Sequence, residues 1–271
     1  MSEEVIIPPA EPVPEFKGSL FKPHRIVMIL VALVLVVLAI TTLRWDWLPN
    51  YEGMLVAGIG RSLAMLFSSA IVGFILAVLL GMGMVAGPWW IQALCTSFCS
   101  IIRGTPLLLQ LWLLYYGLGS VFSLYPGHRQ WLLWPYLREA WPYGFAALTI
   151  SFAGYEGEVM RGAFAGVPRG ELEAARAYGM APWTLFRRVW LPRAVQRALP
   201  TLNGETVLQL KSTPLVATIT VVDLYGVVSK IRQDTFLTYE PLLLLALVYM
   251  TLTGILVAVF RHFENKIPVK M

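Results

Sequence analysis

From Ile26 to Leu43, between Arg25 and Arg44, the chain runs eighteen residues without a charge. As a helix that run covers about 27 Å, close to the roughly 30 Å hydrocarbon core of a bilayer. Comparable apolar stretches cover about 55–86, 91–119, 143–161, 199–221 and Pro241–Phe260. Six membrane spans in an all-α, polytopic chain are therefore expected. Composition agrees: 57% of residues are hydrophobic and 14% charged, against about 45–50% and about 25% in soluble domains. A soluble enzyme is disfavoured because too little polar surface is available to solvate it. Disorder is excluded by the 13% aromatic content.

The net charge of +5 does not point to nucleic acid, because the arginines lie between apolar runs. Seven of them (Arg161, Arg169, Arg176, Arg187, Arg188, Arg193 and Arg197) fall in one inter-span segment, opposed by Glu171 and Glu173. Lys17, Lys22, Arg25, Arg261, Lys266 and Lys270 add charge near the termini. Positive-inside then puts both termini and the 161–197 segment in the cytoplasm, which an even span count allows. Trp45, Trp47, Trp131, Trp134 and Trp141 fall near the opposite interface, where amphipathic rings are stabilised. Residues 1–25, rich in Pro and Glu, lack the charged start and short apolar core of a signal peptide and read as a flexible cytoplasmic tail. Residues 264–271 form a cytoplasmic C-terminal tail. Cys95 and Cys99 share a helix face, and His24, His128 and His262 are far apart, so neither a metal site nor a disulfide is expected.

The segment 170–192 reads GELEAARAYGMAPWTLFRRVWLP. Glu171 to Tyr178 is a strong helix-forming run, and Gly179 can take the left-handed conformation that ends it. Pro182 suits the first turn of a second helix, expected to run to Leu191 and stop before Pro192. The result is a cytoplasmic helix–turn–helix hairpin, with Ala174, Ala175 and Ala177 as exposed small residues suited to docking.

Glu173-Ala174-Ala175, then Gly179, then Val189-x-Leu191-Pro192 resembles the EAA loop of permease subunits of ATP-binding-cassette importers, with Val189 where the family usually has Ile. Arg103-Gly104-Thr105-Pro106-Leu107-Leu108 is similar to a segment of the polar amino acid permeases of the histidine and glutamine type. Tyr155-x-x-Glu158-x-x-Arg161-Gly162 with Val167-Pro168, and Lys211-Ser212-Thr213-x-Leu215 ending at Asp223-Leu224, resemble their helices before and after the loop. The likeness covers about 55–263, a five-helix core; the helix at 26–43 is an addition to it. The resemblance implies a non-catalytic permease subunit of the bacterial inner membrane, coupled through residues 166–197 to an ATPase dimer. ATP and Mg would be bound by that partner, and this chain holds no cofactor. Glu173 would face basic groups of the ATPase or cap the local helix dipole. It also implies a second permease subunit and an extracytoplasmic amino-acid-binding protein docking near 120–142 and 222–240. No Gly-x-x-x-x-Gly-Lys-[Ser/Thr] loop is present, and neither His-Glu-x-x-His nor Gly-x-Ser-x-Gly occurs, so no catalytic residue is assigned.

A charge at a membrane-helix centre costs about 2.5–3.5 kcal/mol on insertion scales, so buried polar residues mark a path or a packing site. Ser151, Tyr155 and Glu158 form one stripe, with Glu156 pointing nearly the opposite way from Glu158. Glu205, Gln209 and Ser212 form another. Glu158 and Tyr155 are the first candidates for a substrate path, with Ser151, Glu205 and Gln209 beside them; interhelical packing is the competing role for the two acids. A buried carboxylate would favour cationic or zwitterionic amino acids through their ammonium groups. Arg103 with Thr105 reads as a structural anchor or inner gate near the cytoplasmic end, and Lys211 as a structural residue bonding carbonyls freed near Pro214. The alternative function is a proton-coupled secondary transporter using Glu158 and Glu205, which gives no reason for the hairpin.

Overall fold

A computed structural model describes residues 26–27, 30–31, 34, 37–38 and 41–266. The expected N-terminal tail and residues 267–271 of the C-terminal tail lie outside the described residues. The chain divides at Trp45/Asp46. In the first unit the described residues from Ile26 to Thr42 are helical, and the Thr41 and Thr42 hydroxyls bond back to the carbonyls of Val37 and Leu38 at 2.8 and 2.6 Å.

In the second unit every described element is helical: α1 (Leu48–Ala86), α2 (Trp89–Gly104), α3 (Leu107–Trp112), α4 (Leu118–Ser123), α5 (Trp134–Leu137), α6 (Trp141–Ala165), α7 (Arg169–Ala177), α8 (Pro182–Leu185), α9 (Leu191–Ser212), α10 (Leu224–Thr235) and α11 (Tyr239–Lys266), with short π and 3-10 turns between some of them. Helices α1 and α11 are each long and apolar enough to cross a membrane. Two bent pairs could raise that number to four. Among the described residues, the five spans expected after residue 54 are thus not five simple helices, and α6 explains part of the difference; the span expected at 26–43 lies partly outside the described residues. Glu156, Glu158 and several glycines and tyrosines lower its hydropathy, yet it is the helix most enclosed by its neighbours. A core helix shielded by protein need not be lipid-compatible all round.

The close approach of α1 and α6 follows from small residues. The buried face of α1 runs Gly58, Ser62, Leu66, Ser69, Gly73, Ala77, Gly81, Met84. A Cβ at Gly81 would stand 2.7 Å from Met160 Cβ and 2.9 Å from the Arg161 nitrogen; one at Gly73 would stand 2.9 Å from the Phe152 ring. Only residues without a side chain let the two backbones come this near.

The stretch 91–119, expected as one span, is instead broken. α2 and the run beginning with α3 are bent by 103° at Thr105–Pro106. Pro106 lacks an N–H and pushes Thr105 out of the helical region, to φ −114°, ψ 137°. The carbonyls freed there are satisfied by Gln110, whose amide donates to Ile102 O (2.9 Å), Thr105 O (3.1 Å) and Thr105 Oγ1 (2.8 Å). The segment 222–240, expected as a docking loop, contains α10, whose Leu224, Val227, Val228 and Ile231 are fully buried. Its N-terminus is capped by Asp223 Oδ1, which accepts from Gly226 N at 2.8 Å. The Leu224 N–H donates to Ser62 Oγ of α1 at 3.1 Å.

Candidate functional site: a polar groove and a coupling hairpin

Helices α6 and α9 lie antiparallel, with the hairpin joining the end of one to the start of the other. Ser151, Tyr155, Glu158, Gly162 and Gly166 succeed one another along one face of α6 and its C-cap. Ser212, Leu208, Glu205, Thr201 and Arg197 do so along α9. Where the stripes meet, two cavities follow one another along the groove.

The upper cavity, about 230 Å³, is lined by Ser151, Phe152 and Tyr155 of α6, Glu205, Leu208, Gln209 and Ser212 of α9, and Leu107 of α3. Ser151, Tyr155, Glu205 and Gln209, read from sequence as path residues, therefore converge on one space. Gln209 is held rather than free: its amide donates to Ser69 Oγ (3.1 Å) and Leu148 O (3.0 Å), tying α9 to α1 and α6. Arg103, at the end of α2, has its guanidinium carbon 6.0 Å from the centre of the Tyr155 ring, and Tyr155 Oη reaches the Arg103 carbonyl at 3.5 Å. Arg103 thus stands in the last turn of α2, directly before the 103° elbow.

Glu158 is not part of the upper cavity. It lines the lower one, about 360 Å³, with Val159, Gly162, Ala163, Gly166, Arg197, Ala198 and Thr201. Its carboxylate accepts from Arg161 Nε at 2.7 Å. This separates Glu158 from Tyr155, its expected neighbour in the path, because the helical advance from 155 to 158 drops it one turn into reach of Arg161. Glu156, set aside in the sequence reading, is fully buried, and neither carboxylate oxygen has a hydrogen-bond partner among the described residues. Lys211 is exposed and bonds no carbonyl among the described residues, contrary to expectation; Thr213 does that work, donating to Leu210 O at 2.9 Å. Thr105 anchors the elbow through Ile101 O (3.0 Å) and as an acceptor for Gln110. A larger cavity of about 550 Å³, lined by Arg61, Met65, Trp141, Phe145, Val216 and Asp223 among others, contains none of the expected path residues.

The hairpin departs from expectation in two respects. Its first helix ends as foreseen, with Gly179 at φ +75° and the Met180 N–H bonded to Ala175 O at 3.2 Å. Ala175 is buried, however, and only Ala174 and Ala177 present small side chains outward. The second helix does not stop at Pro192. From α8 the chain makes a π-helical turn, Phe186–Trp190, and continues into α9. The wider turn accommodates a proline that can neither donate an N–H nor tolerate the carbonyl one α-turn back. The hairpin is fastened at its base. Trp190 Nε1 donates to Phe164 O at 3.1 Å, Phe164 lies edge-on to Trp190 with centroids 5.3 Å apart, and Arg193 Nε bonds Glu171 at 2.8 Å. Glu173 stays exposed, as do Tyr178 (87%) and Trp183 (69%). The Glu171–Arg193 staple and the Gln110 lock were missed from sequence, although Gly104-Thr105-Pro106 signals the break that Gln110 repairs.

A helical bundle with bent helix pairs, a half-open groove bearing polar side chains and an outward hairpin joining the two walls of that groove is the architecture of a membrane permease. The family model described as binding-protein-dependent transport system inner membrane component matches residues 70–268, and the chain belongs to that family. Similar curated proteins include the octopine transport system permease protein OccM of Rhizobium meliloti, 40% identical over 78% of this chain and 84% of that protein. The histidine/lysine/arginine/ornithine transport system permease protein HisM of Escherichia coli K12 is 33% identical over 82% of this chain and 92% of its own length. Among solved structures, one described as an amino acid ABC transporter with histidines superposes with a TM-score of 0.70 at 27% identity, covering 84% of this chain and all of that one. The MetNI methionine ABC transporter in an inward-facing conformation shares the fold, with a TM-score of 0.62 at 17% identity over 80% of this chain and 97% of that one.

Proposed function

We propose that this chain is the permease subunit of an importer for polar amino acids, cationic or zwitterionic, in the inner membrane of a bacterium. The upper cavity carries the reading. Its size is below the roughly 300–1,000 Å³ of drug-sized pockets, on the scale of one amino acid. A carboxylate from Glu205 stands ready for an ammonium or guanidinium group, the Tyr155 ring offers a face to a cation, and Arg103 stands beside it for the solute's own carboxylate. The named solutes of the relatives, octopine and basic amino acids, combine these groups.

Energy enters through the hairpin. Glu173, Ala174, Gly179, Val189, Leu191 and Pro192 shape or border a projection that a separate ATPase dimer, holding ATP and Mg, would grip, with Ala175 supporting it from inside. Because Trp190, Phe164 and the Glu171–Arg193 pair lock the hairpin to both walls of the groove, a push on it moves α6 and α9 together. Rigid-body rocking of such a unit against a second permease subunit gives alternating access. An extracytoplasmic binding protein would deliver solute. Both termini and the hairpin lie in the cytoplasm on this reading.

The test is uptake into vesicles holding the reconstituted permease–ATPase complex with its binding protein. Glu205→Gln should lower arginine uptake about tenfold or more while leaving complex assembly and basal ATPase activity intact. Unchanged arginine uptake would remove Glu205 from the path.

A further inference from the structure

The lower cavity carries a charge that nothing among the described residues answers. Glu158, on its α6 wall, is already taken by Arg161. Arg197, on the α9 wall, is exposed, and among the described residues it has neither an ion pair nor a hydrogen bond. Its Nη1 stands 3.6 Å from where a Cβ would sit at Gly166, so the guanidinium lies against a wall without side chains. No atom lies within 4 Å of a Cβ position at Gly162, which leaves room beside it. Thr201, one turn further along α9, lines the same cavity, and among the described residues its hydroxyl has no hydrogen bond. The C-terminal end of α6 favours a cation here, but that attraction leaves the guanidinium's N–H groups unoccupied.

We propose that this cavity is a second solute station, in which Arg197 and Thr201 hold the α-carboxylate of an amino acid passing down the groove. A planar guanidinium fork matches a carboxylate bidentately, and Gly162 and Gly166 make space for the group to approach. The upper station offers Glu205 to the solute's cation and Arg103 to its carboxylate, and the lower offers Arg197 to that carboxylate once it has left Arg103. A solute leaving Glu205 would thus exchange one charged contact for another rather than cross an apolar gap. This inference rests on the α6–α9 groove being the path.

The experiment is equilibrium dialysis of radiolabelled arginine and argininamide against the permease–ATPase complex in nanodiscs, without binding protein. Wild type should bind arginine at least about tenfold more tightly than the carboxamide. Arg197→Gln should remove part of that preference, the remainder belonging to Arg103 of the upper station, and leave the carboxamide unchanged; Arg197→Lys should restore part of what is lost, and Thr201→Val should lose a smaller part. Retention of the full preference in Arg197→Gln overturns the station while leaving the groove reading intact. So does loss of the co-purifying ATPase with solute affinity unchanged, which would make Arg197 a contact for that subunit. Wild-type binding of neither compound defeats the groove reading, and this inference with it.

Discussion

Gln209 and Ser69, 140 residues apart, share a hydrogen bond of 3.1 Å across the contact of α9 and α1, and the same Gln209 amide reaches Leu148 O of α6. One side chain therefore ties together the three helices behind the upper cavity, and it faces that cavity as well. Interhelical bonds of this kind contribute about 0.6 kcal/mol on average, up to about 1.7.

A double-mutant cycle of Gln209→Ala and Ser69→Ala should give a coupling energy of about 0.5–1.5 kcal/mol in detergent unfolding. Strict additivity of the two single changes would mean that the bond contributes nothing to holding α9 in place.

Gly81→Val should be far more damaging than Gly53→Val, although both sit in α1. The first forces a Cβ to within 2.7 Å of Met160 Cβ and 2.9 Å of the Arg161 nitrogen, while the second meets nothing within 4 Å. Overpacking against backbone costs about 1–3 kcal/mol or more, so monodisperse yield in detergent should collapse for Gly81→Val only. Equal yields would show that α1 and α6 do not approach this closely.

Gly179→Ala places a Cβ on a residue at φ +75°, a cost of about 1–2 kcal/mol. The expected outcome is a loosened hairpin: weaker co-purification of the ATPase and several-fold lower solute-stimulated hydrolysis, with wild-type thermal stability in the membrane domain. Full stimulation in this variant would show that the turn geometry does not matter to coupling.

Gln110→Ala removes the donor to Thr105 O and leaves Ile102 O with only the longer bonds from Thr105 N (3.4 Å) and Thr105 Oγ1 (3.3 Å). A stranded buried acceptor costs about 1–3 kcal/mol, and the part-buried Thr105 O falls toward the lower end. Because Arg103, in contact with Tyr155, directly precedes the elbow, loosening the elbow should lower solute affinity together with stability; Gln110→Asn, too short to span the break, should behave like the alanine variant. Unchanged affinity in both variants would disconnect the elbow from the site.

Signals that depend on one residue's own conformational limits could be read in advance. Gly179 is free to be left-handed, Pro182 suits the first turn of a helix, and the 3.6-residue period puts Ser151 and Tyr155 on one face and Glu205 and Gln209 on another. What escaped depends on partners distant in sequence or on a change of helical register. Nothing local in Gln110 says that it will repair a break five residues earlier, and nothing in Glu158 says that Arg161 will hold it away from Tyr155. Pro192 looked like a stop because the reading assumed an α-helix; a π-helical turn removes the clash and lets the helix run on. The enclosure of Glu156 likewise follows from the glycine-bearing face of α1, five helices earlier in the chain.

The central claim is that solute travels between α6 and α9. In a Cys95→Ser, Cys99→Ser background, single cysteines at Ser151, Ser212 and Thr201 can be treated with a small charged thiol reagent in the assembled complex. The account predicts that reaction at Ser151 and Ser212 slows several-fold when a transported amino acid is added, and that a cysteine at Leu94, exposed on α2 away from both cavities, is unaffected. Equal reaction rates with and without solute at both groove positions, in a complex that still accumulates it, would place the path elsewhere.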